Sequence, residues 1–240
     1  MYNTTVARLT YRALLGRRRA LLLCALPLLL LVVAVAVRLL GEVDDDITKQ
    51  LLGGFAMATI VPLIGVVAGT GAIAPEIDDG SVVYLLSKPT RRSSIVVTKL
   101  LVAIGVTVVF SAVPTFLAGY ILNGNSQQIA VAYAVAAAAA SVAYSSLFLL
   151  LGTVSRHAVV IGLVYALIWE ALFGSLVPGA KELSVQQWAL TLAQKVGGSG
   201  AGITSEVGMT TGVTLLAVAT IGGAWYASRK LRTFTLAGEE

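Results

Sequence analysis

"LLGGFAMATIVPLIGVVAGTGAIAPEIDDGSVVYLLSKPTRRSS", residues 51–94, decides the fold. Its first part, 51–74, carries no charged side chain. At 1.5 Å rise per residue, a helix of that length crosses a hydrocarbon core of roughly 30 Å. The second part breaks the run with acids, a glycine, a proline and arginines, the composition of a loop between two spans. Further apolar runs cover 20–40, 100–122, 129–152, 158–178 and 207–227. Hydrophobic residues make up 57% of the 240 and charged residues 12%, with a mean hydropathy of +0.88, more than a soluble core can hide. The expected fold class is all-α, a polytopic membrane protein with six transmembrane helices in a single domain, 1–240.

An even number of spans puts both termini on one side. If that side is the cytoplasm, only Arg38, Lys49, Lys181 and Lys195 of the 17 cations fall outside, and 13 obey the positive-inside rule. The net charge of +5 therefore reads as topology and not as a nucleic-acid footprint. The stretch "RRRALLLCALPLLLLVVAVAV" has the basic flank of a secretory signal, but its apolar part is too long for one, so it is expected to remain as the first span. Before it, Arg8 and Arg12 lie one turn apart with Val6, Leu9 and Ala13 on an adjoining face, as in an N-terminal interfacial helix; a basic tail is the plainer alternative.

Small residues recur in the spans: "GVVAG" at Gly65 to Gly69, "AVAAAAAS" around Ala138, and "GMTTG" followed by Gly222 and Gly223. They let backbones approach closely, against another span of this chain or against a second subunit. Glu170, beside Trp169 in "YALIWEALFG", is the plainly internal acid. It is either a point on a substrate path or gate, or a packing partner for a group such as Arg38. In "SVQQWALTLAQKVGG", Ser184 and Gln187 have capping-box spacing, and Val185, Trp188, Ala189, Leu192, Ala193 and Val196 form a stripe ending at Gly197. This segment is expected to be an amphipathic helix on the outer surface.

Catalytic chemistry finds no support. The single cysteine, Cys24, lies in an apolar run, and the single histidine, His157, stands beside Arg156 and Ser155 without a metal cluster or a nucleophile elbow. No GxxxxGK[ST] loop is present. No cofactor or metal is therefore expected on this chain, and it is not expected to be an enzyme.

The loop after residue 74 reads as a short helix parallel to the membrane. Pro75 suits a first helical position, and Glu76, Asp78 and Asp79 lie at the positive end of its dipole. Pro89 ends it after Lys88, and Arg91 and Arg92 follow. Ile77, Ser81, Tyr84 and Leu85 can share a face, with Gly80 open to close approach by another backbone.

Glu76, Asp79-Gly80-Ser81, Leu85-Leu86, Lys88-Pro89, Arg91 or Arg92, and Lys99 together resemble the cytoplasmic signature of ATP-binding cassette (ABC) transporter permeases of the second type, with Ser81 where threonine is usual. The six spans, the basic N-terminus, "IWE" at Ile168 to Glu170 and the amphipathic outer segment extend the resemblance over the chain. It implies a permease subunit of an ABC exporter in the cell membrane, pairing as a homodimer with a second permease subunit. A separate nucleotide-binding subunit would carry ATP and Mg. Glu76, Asp78, Asp79, Gly80, Ser81, Tyr84, Leu85, Pro89, Arg91 and Arg92 would couple to that subunit, with Tyr84 and Leu85 as apolar anchors. The alternative is a non-transporting membrane scaffold or immunity-like protein. Nothing points to a nucleic-acid partner, and the cargo is unspecified beyond a lean toward apolar or amphipathic molecules.

Overall fold

The structure, a computed structural model, describes residues 4–41, 43–80, 92–123, 127–174 and 178–232. Within them every regular element is helical. Helix α1 (Thr4–Leu14) precedes α2 (Arg17–Leu40). Next, α3 (Asp45–Gln50), the π-helical stretch Leu51–Ile60 and α4 (Val61–Gly71) run on as one rod, followed by the short α5 (Ala74–Asp78). Then come α6 (Arg92–Leu122), α7 (Gln127–Val154), and α8 (Ala158–Val164), which continues into a second π-helical stretch, Tyr165–Phe173. The short α9 (Pro178–Lys181), α10 (Val185–Gly197) and α11 (Met209–Arg232) complete the order.

Among the described residues five helices are long and apolar enough to cross a membrane: Arg19–Leu40, Asp45–Ile77, Ser93–Leu122, Gln127–Val154 and Met209–Leu231. The run expected to be the fifth span, 158–178, is a shorter apolar helix, Ala158–Phe173. Sixteen residues at 1.5 Å reach about 24 Å, less than the roughly 30 Å core. Many large apolar side chains of α2, α6, α8 and α11 face outward, including Leu21, Leu28, Val109, Val160 and Ile221, the arrangement lipid favours and water does not.

The π-helical stretch 51–60 has a local cause. Pro62 cannot donate to the carbonyl four residues back and its ring crowds that group; widening the preceding turns relieves the clash while keeping the backbone paired. Tyr165–Phe173 contains no proline. There the wider winding has a different consequence, described below.

Helix α7 is the centre of the bundle, packed on α4, α6, α10 and α11. Against α6 it makes two hydroxyl pairs one turn apart, Thr107–Ser145 at 2.9 Å and Ser111–Ser141 at 2.5 Å. Thr107 already donates to Ala103 O and Ser141 to Ala137 O, so Ser145 and Ser111 donate across the interface. Such bonds supply register in lipid, where apolar burial drives little. Against α4 the contact is made by "GVVAG". A Cβ on Gly65 would come within 2.7 Å of Tyr144 Cβ, and one on Gly69 within 2.7 Å of Phe148 Cβ. The neighbour of these small residues is thus a span of the same chain. Overpacking costs about 1–3 kcal/mol; Gly69→Ala is therefore expected to lower the melting temperature of detergent-purified protein measurably. Gly54→Ala, where a Cβ meets nothing within 4 Å, is the control and should not.

Two expected surface helices are placed differently. In α1 the buried face is Val6, Ala7, Thr10 and Leu14, not Val6 with Leu9 and Ala13, because α1 packs on α6 and α4. Helix α10 has its expected start, with Ser184 Oγ accepting from Gln187 N, but it lies against α7 and α11. Val185, Ala189, Leu190 and Ala193 are buried in protein, while Val196 of the expected stripe is 45% exposed.

Candidate functional site

Two polar sites lie at opposite ends of the bundle, one in the loop after α4 and one where α10 begins.

At the first, α4 ends on carbonyls that attract cations from two other helices. Arg19 Nη1 donates to Gly71 O at 3.1 Å, and Lys99 Nζ donates to Ala72 O at 2.7 Å. The negative end of the helix dipole makes both placements favourable. Lys99 is 1% exposed and pairs with Glu76 Oε1 at 2.6 Å, joining the start of α5 to α6. The first and last charged residues of the signature are therefore bonded to each other, and Glu76 anchors the loop to α6.

The loop helix itself is shorter than expected. Proline occupies the first turn of α5, as its sequence demands, but α5 stops at Asp78, with Asp79 as its C-cap. Gly80 has φ +70°, a left-handed conformation that ends a helix and that side chains disfavour. One helix from Pro75 to Lys88 is thus interrupted at Gly80. A Cβ there would meet nothing within 4 Å, so the glycine serves this conformation within the chain. Asp79 and Gly80 are exposed. Ser81, Tyr84, Leu85, Pro89 and Arg91 lie outside the described residues, as do the side chains of Asp78 and Arg92.

The second site is centred on Glu170, whose side chain is fully buried. Oε1 accepts from Tyr165 Oη at 2.8 Å and Val185 N at 3.0 Å; Oε2 accepts from Ser184 Oγ at 2.5 Å and Gln186 N at 3.4 Å. The carboxylate caps the N-terminus of α10, where unpaired N–H groups and the dipole both favour an anion. Five residues separate Tyr165 from Glu170. In an α-helix they would stand about 140° apart, and the wider π winding brings them to one face. Gln186 extends the contact, its Nε2 donating to Gly53 O at 2.8 Å in the other π-helical stretch. The start of α10 therefore clasps both π-helical stretches, which also pack on each other.

Arg38, expected as a possible partner of Glu170, instead donates from Nη1 to Leu122 O at 3.0 Å, at the C-terminal end of α6. Trp169 stacks at a tilt on Phe173, ring centroids 6.1 Å apart. Below Glu170 an aromatic chain leads inward: Tyr144 stacks on Phe148, which meets Tyr165 edge-on, each pair at 5.9 Å. Gln186, Gly53 and Tyr165 were not among the expected site residues. The Ser184–Gln187 spacing marked where α10 starts, but no periodicity links that start to a carboxylate on another helix.

Beside α10 an open cleft of about 860 Å3 lies between its C-terminal half and the N-terminus of α11, lined by Thr191, Lys195, Ile203, Glu206 and Met209 among others. Lys181 bridges to Glu206 at its rim, 2.6 Å apart. Among the described residues no group of His, Cys, Asp and Glu side chains is arranged to hold a metal ion.

A family model described as "ABC-2 family transporter protein" matches residues 17–193. Comparison with curated proteins returns no match.

Proposed function

Since the chain belongs to the ABC-2 family of transporter proteins, we propose that it is the membrane half of an exporter driven by ATP bound, with Mg, to a separate subunit. Family membership makes it the permease component of an ABC transporter and a multi-pass membrane protein. In the proposed arrangement two copies pair as a homodimer in the cell membrane, with both termini and the Glu76 loop in the cytoplasm. Two termini on one side require a sixth crossing, and the shorter apolar helix Ala158–Phe173 supplies it with local thinning of the bilayer. Residues from Glu76 to Leu86 sit in a groove of the ATP-binding subunit, Arg91 and Arg92 contact lipid headgroups or the rim of that groove, and closure of two such subunits on ATP rocks the spans between two states.

The observation that carries this reading is the Lys99–Glu76 pair. A push on the loop is felt directly by α6, because a 2.6 Å ion pair ties the loop to a buried position on that helix. A solvated topological connector needs cations but no such tie. Glu170, holding the start of α10 to two other elements, serves in this reading as the cap that fixes α10, and the cleft between α10 and α11 is the proposed exit.

Stoichiometric co-purification with the ATP-binding subunit tests the loop assignment. Tyr84→Ala combined with Leu85→Ala is expected to abolish that complex and its vanadate-sensitive ATPase activity. If the double variant still assembles and hydrolyses ATP, the anchors lie elsewhere. A wild-type complex without cargo-dependent ATPase would favour a scaffold.

A further inference from the structure

Between α1 and α6 runs an apolar slot of about 510 Å3, lined by Tyr11 and Leu15 on one side and by Leu101, Val102, Gly105, Val106, Val109 and Phe110 on the other. Leu101, Gly105 and Val109 are all exposed and repeat at four-residue spacing, so they form one outward stripe. Gly105 is the notch in it, since a Cβ there would meet nothing within 4 Å. From Leu101 to Phe110 the slot extends about 14 Å along the axis, close to half the roughly 30 Å core and hence the depth of one leaflet. Its first lining residue on α6, Leu101, follows Lys99 by two positions.

Cations of α1 stand close to the residues that line the slot. On α1, Arg8 and Arg12 lie within one turn of Tyr11 and Leu15, so the cations flank the stripe that lines the slot. Both arginines are exposed, and α1 contains no acidic residue. An apolar trough one leaflet deep, with two exposed arginines one helical turn from its lining residues, is complementary to a single kind of bilayer molecule. We propose that the slot is a binding site for an anionic glycerophospholipid of the surrounding membrane, one acyl chain lying over Gly105 and the phosphate meeting Arg8 and Arg12. The lipid would glue α1 to α6, and α6 carries Lys99.

The test uses native mass spectrometry of the full chain released from micelles containing phosphatidylglycerol or phosphatidylcholine. Each surface cation favours anionic lipid about fivefold, so wild type is expected to retain phosphatidylglycerol roughly 25-fold more strongly. Arg8→Gln with Arg12→Gln should remove that preference. Gly105→Leu, which fills the notch, should abolish retention of both lipids. Unchanged melting temperatures in lipid-free detergent establish that both variants fold. An undiminished preference in the arginine variant overturns the headgroup site, and retained lipid in Gly105→Leu overturns the slot. Conversion of a dimer to a monomer by Gly105→Leu also overturns the proposal, because the slot would then seat a second copy. As a second readout, phosphatidylglycerol with a photoreactive acyl chain should label peptides containing Tyr11 or Gly105; labelling confined to other spans counts against it.

Discussion

Glu170→Gln is expected to destabilise the protein by roughly 3 kcal/mol, with transport falling in step. The substitution keeps size and shape, so the effect isolates hydrogen bonding and charge. Four donors converge on the carboxylate: two hydroxyls, from Tyr165 and Ser184, and two backbone N–H groups, from Val185 and Gln186. A hydroxyl can rotate to accept from an amide. A backbone N–H cannot, and since each oxygen serves one of the two, the glutamine NH2 must face at least one of them. One buried donor is left unsatisfied, at about 1–3 kcal/mol, and the helix loses its capping anion as well. Thermal unfolding in detergent measures the loss, and hydrogen exchange at Val185 and Gln186 should localise it to the start of α10. A variant that melts like wild type yet exports tenfold less would mean that Glu170 acts on the transport path and not as a cap.

Lys99→Met is expected to have the next largest effect, about 2–3 kcal/mol on stability and a larger proportional loss of cargo-stimulated ATPase activity. Breaking a buried ion pair costs about 3–5 kcal/mol. The lower figure applies here because the Glu76 side chain is 23% exposed and water can reach it. Methionine matches the lysine stem in bulk but cannot donate to Ala72 O or pair with Glu76. Adding Glu76→Gln to Lys99→Met should cost less than the sum of the single changes, since the two groups interact directly. Strict additivity, or a wild-type melting point for Lys99→Met, would show that the pair contributes nothing. Assembly with the ATP-binding subunit should survive in Lys99→Met while coupling drops, because the loop stays in place without its tie to α6.

Much of this architecture was legible in residue order. Apolar runs long enough to span a bilayer announce themselves, because lipid forces every spanning backbone to satisfy its own hydrogen bonds and only long apolar helices do so. Pro75 in the first turn of α5, the Ser184 cap of α10 and the close-packing glycines of "GVVAG" followed from local sterics and backbone bonding. The loop signature was legible as charge order, although Gly80 interrupts the helix that its flanks promised.

What the amino-acid order determined by itself is therefore whatever depends on neighbours in the chain: the membrane class, five of the six expected long apolar helices, and the caps. The tertiary structure alone decided which polar groups meet. Nothing in the spacing of Glu76 and Lys99, or of Glu170 and α10, fixes their contact. Desolvating a charge is costly enough that each buried one must find whichever dipole or counter-charge the packing of distant helices brings within reach. For Lys99 that was the end of α4 together with Glu76, and for Glu170 the start of α10.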